Sequence, residues 1–166
     1  GNGRVGRLLI TFLLCHRGVL HRPLLYLSHY LKRHRAEYYD RLMAVRDDGN
    51  WEGWIGFFLR GAAETAAEAA STARAIVQLR EEHRALVQGR SPARAGLKFL
   101  DLLFKRPLVN ASFVQEQLGM SFATANNLVA QFQGLGLLEE TTGGQRNRRY
   151  RYSPYLALFE EAPSAP

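Results

Sequence analysis

The sequence predicts a mainly helical protein that ends in three short helices and a β-hairpin. Three observations carry that prediction. Apolar residues recur at intervals of three and four over most of the first 90 positions, as on one side of a helix. Alanine and glutamate, both good helix formers, crowd the middle of the chain. Alternation of the strand type appears only near the end, around Arg148-Arg149-Tyr150-Arg151-Tyr152, after the turn sequence Thr141-Thr142-Gly143-Gly144. With 166 residues, 46% apolar and 11% aromatic, the chain can bury a core, which excludes disorder and collagen-like repeats.

Leu8–Arg17 reads as a buried helix continuing from the opening glycines, with Gly18 as its stop. Pro23 suits the start of the next helix, on which Leu24, Leu27 and Leu31 share a side. A polar helix follows, its apolar side made by Tyr38, Tyr39, Leu42, Met43 and Val45, and Asp47-Asp48-Gly49-Asn50 is a turn. From Trp51 to about Gln88 the periodicity is helical again, through Trp54, Ile55, Phe58, Leu59, Ala62, Ala66, Ala69, Ala73, Ile76 and Val77. Gly61 marks a local kink, and the stretch around Glu64 and Glu68 an exposed side. Gly89-Arg90-Ser91-Pro92 is the best boundary candidate, dividing residues 1–90 from a module over 91–166 with a short tail.

In the second part, helices are expected over Ala95–Phe104, Ala111–Leu118 and Phe122–Gln133, separated by Arg106-Pro107 and Gly119-Met120-Ser121. Gly134–Glu139 reads as a strand entry leading into the hairpin. Three helices followed by a hairpin is the outline of a winged helix-turn-helix, whose second turn-linked helix enters the DNA major groove. The candidate contacts there are Ser121, Thr124, Asn126, Asn127 and Gln131, none of them basic. The cations sit on the hairpin instead, at Arg146, Arg148, Arg149 and Arg151. On a strand, Arg149 and Arg151 share one side, and Arg148, Tyr150 and Tyr152 the other. DNA contact and a packing, dimerisation or target-recognition role both remain open on this pattern.

The net charge is +7, and it is unevenly spread. Residues 1–50 hold nine Lys/Arg against four Asp/Glu, while the rest is close to balance. A basic balance favours anionic partners. One cysteine, Cys15, excludes an internal disulfide framework and reads as a buried small residue. No apolar run reaches the length of a membrane span and no signal peptide opens the chain, so no membrane partner and a cytoplasmic location are expected. The absence of an initiator Met gives the expectation of a fragment of a longer protein.

The opening Gly1-Asn2-Gly3-Arg4-Val5-Gly6-Arg7 stands at the head of an apolar helix. Glycines let backbone approach a ligand closely. The first N–H groups of a helix lack intrahelical partners and attract anions. Arg4 and Arg7, three apart, project from one side, and the guanidinium fork suits phosphate oxygens. Together they read as a di- or triphosphate cradle or, failing a ligand, as a terminus with exposed arginines.

Gly1-Asn2-Gly3-Arg4-x-x-Arg7 resembles the second half of the signature of the Fic family, H-P-F-x-[DE]-G-N-G-R-x-x-R. Pro23-Leu24-Leu25-Tyr26-Leu27-Ser28, Tyr38-Tyr39, Val45-Arg46, Trp51-Glu52-x-Trp54 and Phe57-Phe58-Leu59 resemble the stretch that follows it in many bacterial Fic proteins, which often end in a winged helix. The resemblance covers nearly the whole chain. It implies the back half of a Fic helical core over 1–90 and transfer of AMP from ATP, with Mg²⁺, to a hydroxyl side chain of a target protein. Carried over, Gly1, Asn2 and Gly3 would nest the α- and β-phosphates. Arg4 would hold phosphate from the first turn, and Arg7 would meet the γ-phosphate or an inhibitory glutamate. The family's histidine base and its acidic Mg²⁺ ligand fall ahead of Gly1, so the chain by itself is expected to be inactive. The inhibitory pattern is not evident either, since Thr65–Ala69 and Ser71–Ala75 have the wrong fifth residue.

The remaining residues read more plainly. His16, His21, His29 and His34 fit helix surfaces or packing, and His83, after Glu81-Glu82, a solvated side. Trp51, Trp54, Phe57 and Phe58 read as a core seam or a stacking platform. Tyr26, Tyr30, Tyr38 and Tyr39 fit half-buried packing or a self-modification site. If a missing front half normally covers Leu9, Ile10, Leu13 and Leu14, this chain is expected to self-associate or to be marginally folded at its start.

Overall fold

The computed structural model describes residues 2–20, 27–90, 93–144 and 148–159. Its elements are α1 (Asn2–His16), α2 (Leu27–Arg33), α3 (Arg35–Asp48), α4 (Trp51–Gln88), α5 (Ala93–Lys105), β1 (Leu108–Val109), α6 (Ala111–Leu118), α7 (Phe122–Gly134), β2 (Glu139–Glu140), β3 (Tyr150–Arg151) and α8 (Ser153–Leu156). The protein is mainly α-helical with one small antiparallel sheet, as the periodicity predicts. The chain divides into two compact units, Gly1–Ser71 and Thr72–Pro166. That division falls inside α4, whereas the break between α4 and α5 lies at the Gly89 region, where the sequence signals it.

In the first unit, α3 ends where Gly49 takes a left-handed φ of +66° and its N–H returns to the Val45 carbonyl. Asn50 then accepts from the Gly53 N–H and opens α4. The buried cluster is small: Leu27, Tyr30 and Leu31 from α2 meet Phe57 of α4, with Ile10, Tyr38, Trp54 and Phe58 packed around them. The rings form a continuous set, Tyr30 with Phe57 at 5.4 Å and Trp54 with Tyr38 at 5.6 Å, within the range of favourable aromatic pairs. Arg33 reaches Glu68 at 3.1 Å and Glu64 at 3.7 Å across α2 and α4.

Several expectations are corrected here. The helix of Leu8–Arg17 is present, but its apolar side is not buried: Leu8 is 72% and Phe12 64% exposed. Cys15 is half-buried. α4 runs unbroken through Gly61, and that glycine admits the ring of Tyr30, which a Cβ would strike. The inward stripe of α4 in this unit is Trp54, Phe57, Phe58, Gly61 and Thr65, while Trp51, Ile55 and Leu59 face outward. Both stripes have helical spacing, so periodicity does not choose between them; the position of α2 does. The aromatic seam thus holds for Trp54, Phe57 and Phe58 and fails for Trp51.

The second unit closes a larger core. Val87 from α4, Phe99, Leu100 and Leu103 from α5, Val114 from α6, and Leu128, Val129 and Phe132 from α7 are buried with Tyr150 and Tyr152. The rings of Phe99 and Phe132 pack in a tilted pair, 4.6 Å between centroids. The sheet order is β1-β3-β2, all antiparallel, with Val109 opposite Tyr150 and Glu140 opposite Tyr150 on the other edge. β1 is absent from the sequence expectation because two residues are too few to show alternation. The strand expected over Gly134–Glu139 shrinks to β2: α7 reaches Gly134, and Gly136 at φ +73° turns the chain so that Leu137 and Leu138 drop into the core.

Candidate functional site

The residues of the opening motif lie on α1, except Gly1, which is outside the described residues. The side chains of Asn2, Arg4 and Arg7 are likewise outside the described set. What the backbone establishes is position. The helix takes in Asn2 and Gly3, which sequence reading set ahead of it, and Arg4 and Arg7 stand one turn apart on one helical side. The first turn holds no acidic residue, so nothing there opposes the pull of the free N–H groups on an anion. Farther along, Phe12 stacks on His16 at 6.0 Å. His34 packs on Tyr30 at 4.4 Å, and His21 and Tyr26 fall outside the described residues.

The α6–α7 pair is built by local rules. Asn110 accepts from the Phe113 N–H at 2.8 Å and starts α6. Gly119, at φ +64°, ends it. Ser121 then caps α7 through the Thr124 N–H at 3.2 Å, and the two hydroxyls meet at 2.8 Å. Leu128, Val129 and Phe132 turn inward, and Ser121, Thr124, Asn126, Asn127 and Gln131 are all exposed. The five polar candidates therefore do share the outward side, but Ser121 and Thr124 also serve the cap.

The hairpin is more self-contained than its sequence suggests. Arg151 holds Glu139 at 2.8 Å, and Ser153 donates to the same carboxylate at 2.8 Å. These hydrogen bonds, with the positive charge of Arg151, hold the Glu139 carboxyl below the usual glutamate range. Arg148 donates to the Gly144 carbonyl at 3.0 Å and lies 3.7 Å from Glu140. Arg149 is exposed, and Arg146 lies outside the described residues. Tyr150 and Tyr152 are both buried, in keeping with the side that the alternation gives them, while Arg148, expected with them, is exposed, as is Arg149.

Two features escaped the sequence reading. His83 is not a solvated residue: it is half-buried on α4, and its Nδ1 meets the Tyr152 hydroxyl at 2.5 Å. Burial pushes the His83 pKa down, against the opposing pull of Glu82, and burial pushes the Tyr152 hydroxyl up. Both shifts favour the uncharged forms of the two groups, and which of them donates depends on the imidazole tautomer. No local signal could reveal a pair separated by 69 positions. The second feature is a pocket of about 270 Å³ lined by Arg94, Ala95, Lys98, Leu118 and Met120. Its one sequence signal is a pair of cations four apart at the head of α5.

Among the described residues no group of three or more His, Cys, Asp or Glu is arranged to hold a metal ion. Among the same residues no helix is long and apolar enough to cross a membrane. No protein-family model matches the chain.

Proposed function

We propose that this chain is the back half of a Fic-type protein adenylyltransferase and supplies the grip on the triphosphate of ATP. The observation that carries the reading is Gly1-Asn2-Gly3-Arg4-x-x-Arg7 at the head of α1, with two guanidinium-bearing positions one turn apart and no acid in the first turn. In this reading the intact protein carries the histidine base and the acidic ligand for Mg²⁺ ahead of Gly1. The residues present bind and orient phosphate, and fixed donors offset the charge of the departing pyrophosphate. In this reading the need for ATP and Mg²⁺ favours a cytoplasmic location for the intact protein. The exposed α1 side, with Val5, Leu8 and Phe12, favours self-association of this chain.

The test is nucleotide affinity measured by calorimetry on the chain as it stands. ATP binding is expected to weaken about tenfold on Arg4→Ala and on Arg7→Ala, the loss of one charge-assisted contact each. Equal affinity in all three proteins removes the cradle.

The outward polar side of α7 favours a second reading, DNA contact by a winged-helix module. The partners of Arg151 and Arg148 count against it, because a cation already paired neutralises less phosphate. A gel shift with duplex DNA at low salt checks it: binding that falls on Asn126→Ala, Asn127→Ala and Arg149→Ala supports the reading, and no shift at low salt ends it.

A further inference from the structure

The head of α5 carries charges that a helix by itself disfavours. Arg94 lies in the first turn, where the positive end of the helix repels a cation and where no acidic residue is present. Lys98 stands one turn on, along the same side. Neither has an ion-pair partner among the described residues; Asp101, the acid of that helix, is engaged by Arg80 at 2.7 Å and Arg84 at 3.9 Å. Beside the two cations lies the pocket of about 270 Å³, whose other walls are Ala95, Leu118 and Met120. Gly119, left-handed at φ +64°, makes the turn that sets Leu118 and Met120 on either side of it.

An anion with an apolar stem gains twice in such a place. Its head meets two unneutralised cations, and its stem removes the walls from water. A bare phosphate or a phosphodiester would use the cations and leave the walls wet. The volume is below the span of about 300–1,000 Å³ that drug-sized ligands occupy, which suits a small acid and not a peptide segment.

We propose that this pocket binds a small organic acid, a carboxylate on a short aliphatic or aromatic stem. Arg94 and Lys98 hold the carboxylate, and Ala95, Leu118 and Met120 hold the stem. Met120 immediately precedes Ser121, the cap of α7, so an occupant ties α5 to the start of α7. The site stands independently of the adenylyltransferase and DNA readings.

The experiment is a titration of the full chain, labelled with ¹⁵N, by hexanoate, hexanamide and inorganic phosphate, following amide signals. Hexanoate is expected to move signals of residues 94–98 and 118–121 and to bind about tenfold tighter than either hexanamide or phosphate. Arg94→Ala and Lys98→Ala each weaken hexanoate by about fivefold to tenfold. Met120→Gln weakens hexanoate and leaves phosphate unchanged. These side chains are exposed or half-buried, and an unchanged melting temperature shows that folding is intact. Hexanamide or phosphate binding as well as hexanoate overturns the proposal, as do unchanged affinities in the variants or signals that move only elsewhere.

Discussion

The two units of this chain differ in how completely they cover themselves. Among the described residues, fourteen buried side chains form one cluster in Thr72–Pro166, against four in Gly1–Ser71. The second unit draws its core from helices and a sheet that approach from several directions, so most of its apolar residues find partners, with Val77, Leu108, Phe122 and Phe159 left exposed. In the first unit α1 and α4 carry apolar residues on outward sides: Val5, Leu8, Phe12, Trp51 and Leu59 are each more than half exposed. Every such side chain forgoes about 1.5–3 kcal/mol of burial. The lesson is that helical content and stability are separate matters, since most of a helix's stability comes from covering its apolar side and not from propensity.

The largest loss is expected from Phe132→Ala. Phe132 is fully buried and packed against the ring of Phe99, and its loss should cost the second unit about 3–5 kcal/mol. Urea unfolding followed by hydrogen exchange checks this: protection should fall in residues 93–156 and change little before Ser71. Loss spread evenly over both units would mean that they unfold as one.

A smaller effect comes from the His83–Tyr152 pair. The folded-state pKa of His83 lies below its unfolded value of 6.5, so the folded protein takes up its proton later than the unfolded chain. Its contribution is complete above 6.5 and is lost as the pH falls from there towards the depressed pKa. The second unit should therefore melt lower on the acid side of 6.5 than above it. In Tyr152→Phe the imidazole loses its partner, at a cost of about 1–3 kcal/mol. His83→Asn should flatten the pH dependence; a slope that survives it assigns the effect to another group.

The smallest expected change in stability is that of Phe12→Glu, within about 0.5 kcal/mol because the residue is exposed. Its effect should appear in the oligomeric state. Sedimentation of the parent chain is expected to show self-association, and the variant a shift towards monomer. A parent that sediments as a monomer at all concentrations removes α1 as an association surface.

Much of the fold was legible because it is written locally. Gly49 and Gly119 end helices by adopting positive φ, and Ser121 starts one by capping. Such features need only neighbours within a few positions. The candidate site was legible to the same degree: helical spacing alone puts Arg4 beside Arg7 and Asn127 opposite Val129, whereas Asn126 is a helical neighbour of Val129 and is set outward only by the packing of α7. The pairing of the hairpin arginines was harder to see, since Glu139 lies twelve positions from Arg151 and only the antiparallel register of β2 and β3 brings them together.

From the order of its amino acids alone, this protein's longer helices and several of their ends follow, since backbone hydrogen bonding and capping act over one or two turns, whereas the start of α1 and the short α8 do not. Tertiary packing decided the rest. Tyr30, by lying against Gly61, selected which apolar stripe of α4 is covered. The core of the second unit enlisted Leu108–Val109 as a strand and drew His83 to Tyr152. Those outcomes depend on which surfaces exclude water together, and that is a property of residues brought close in space by the whole chain.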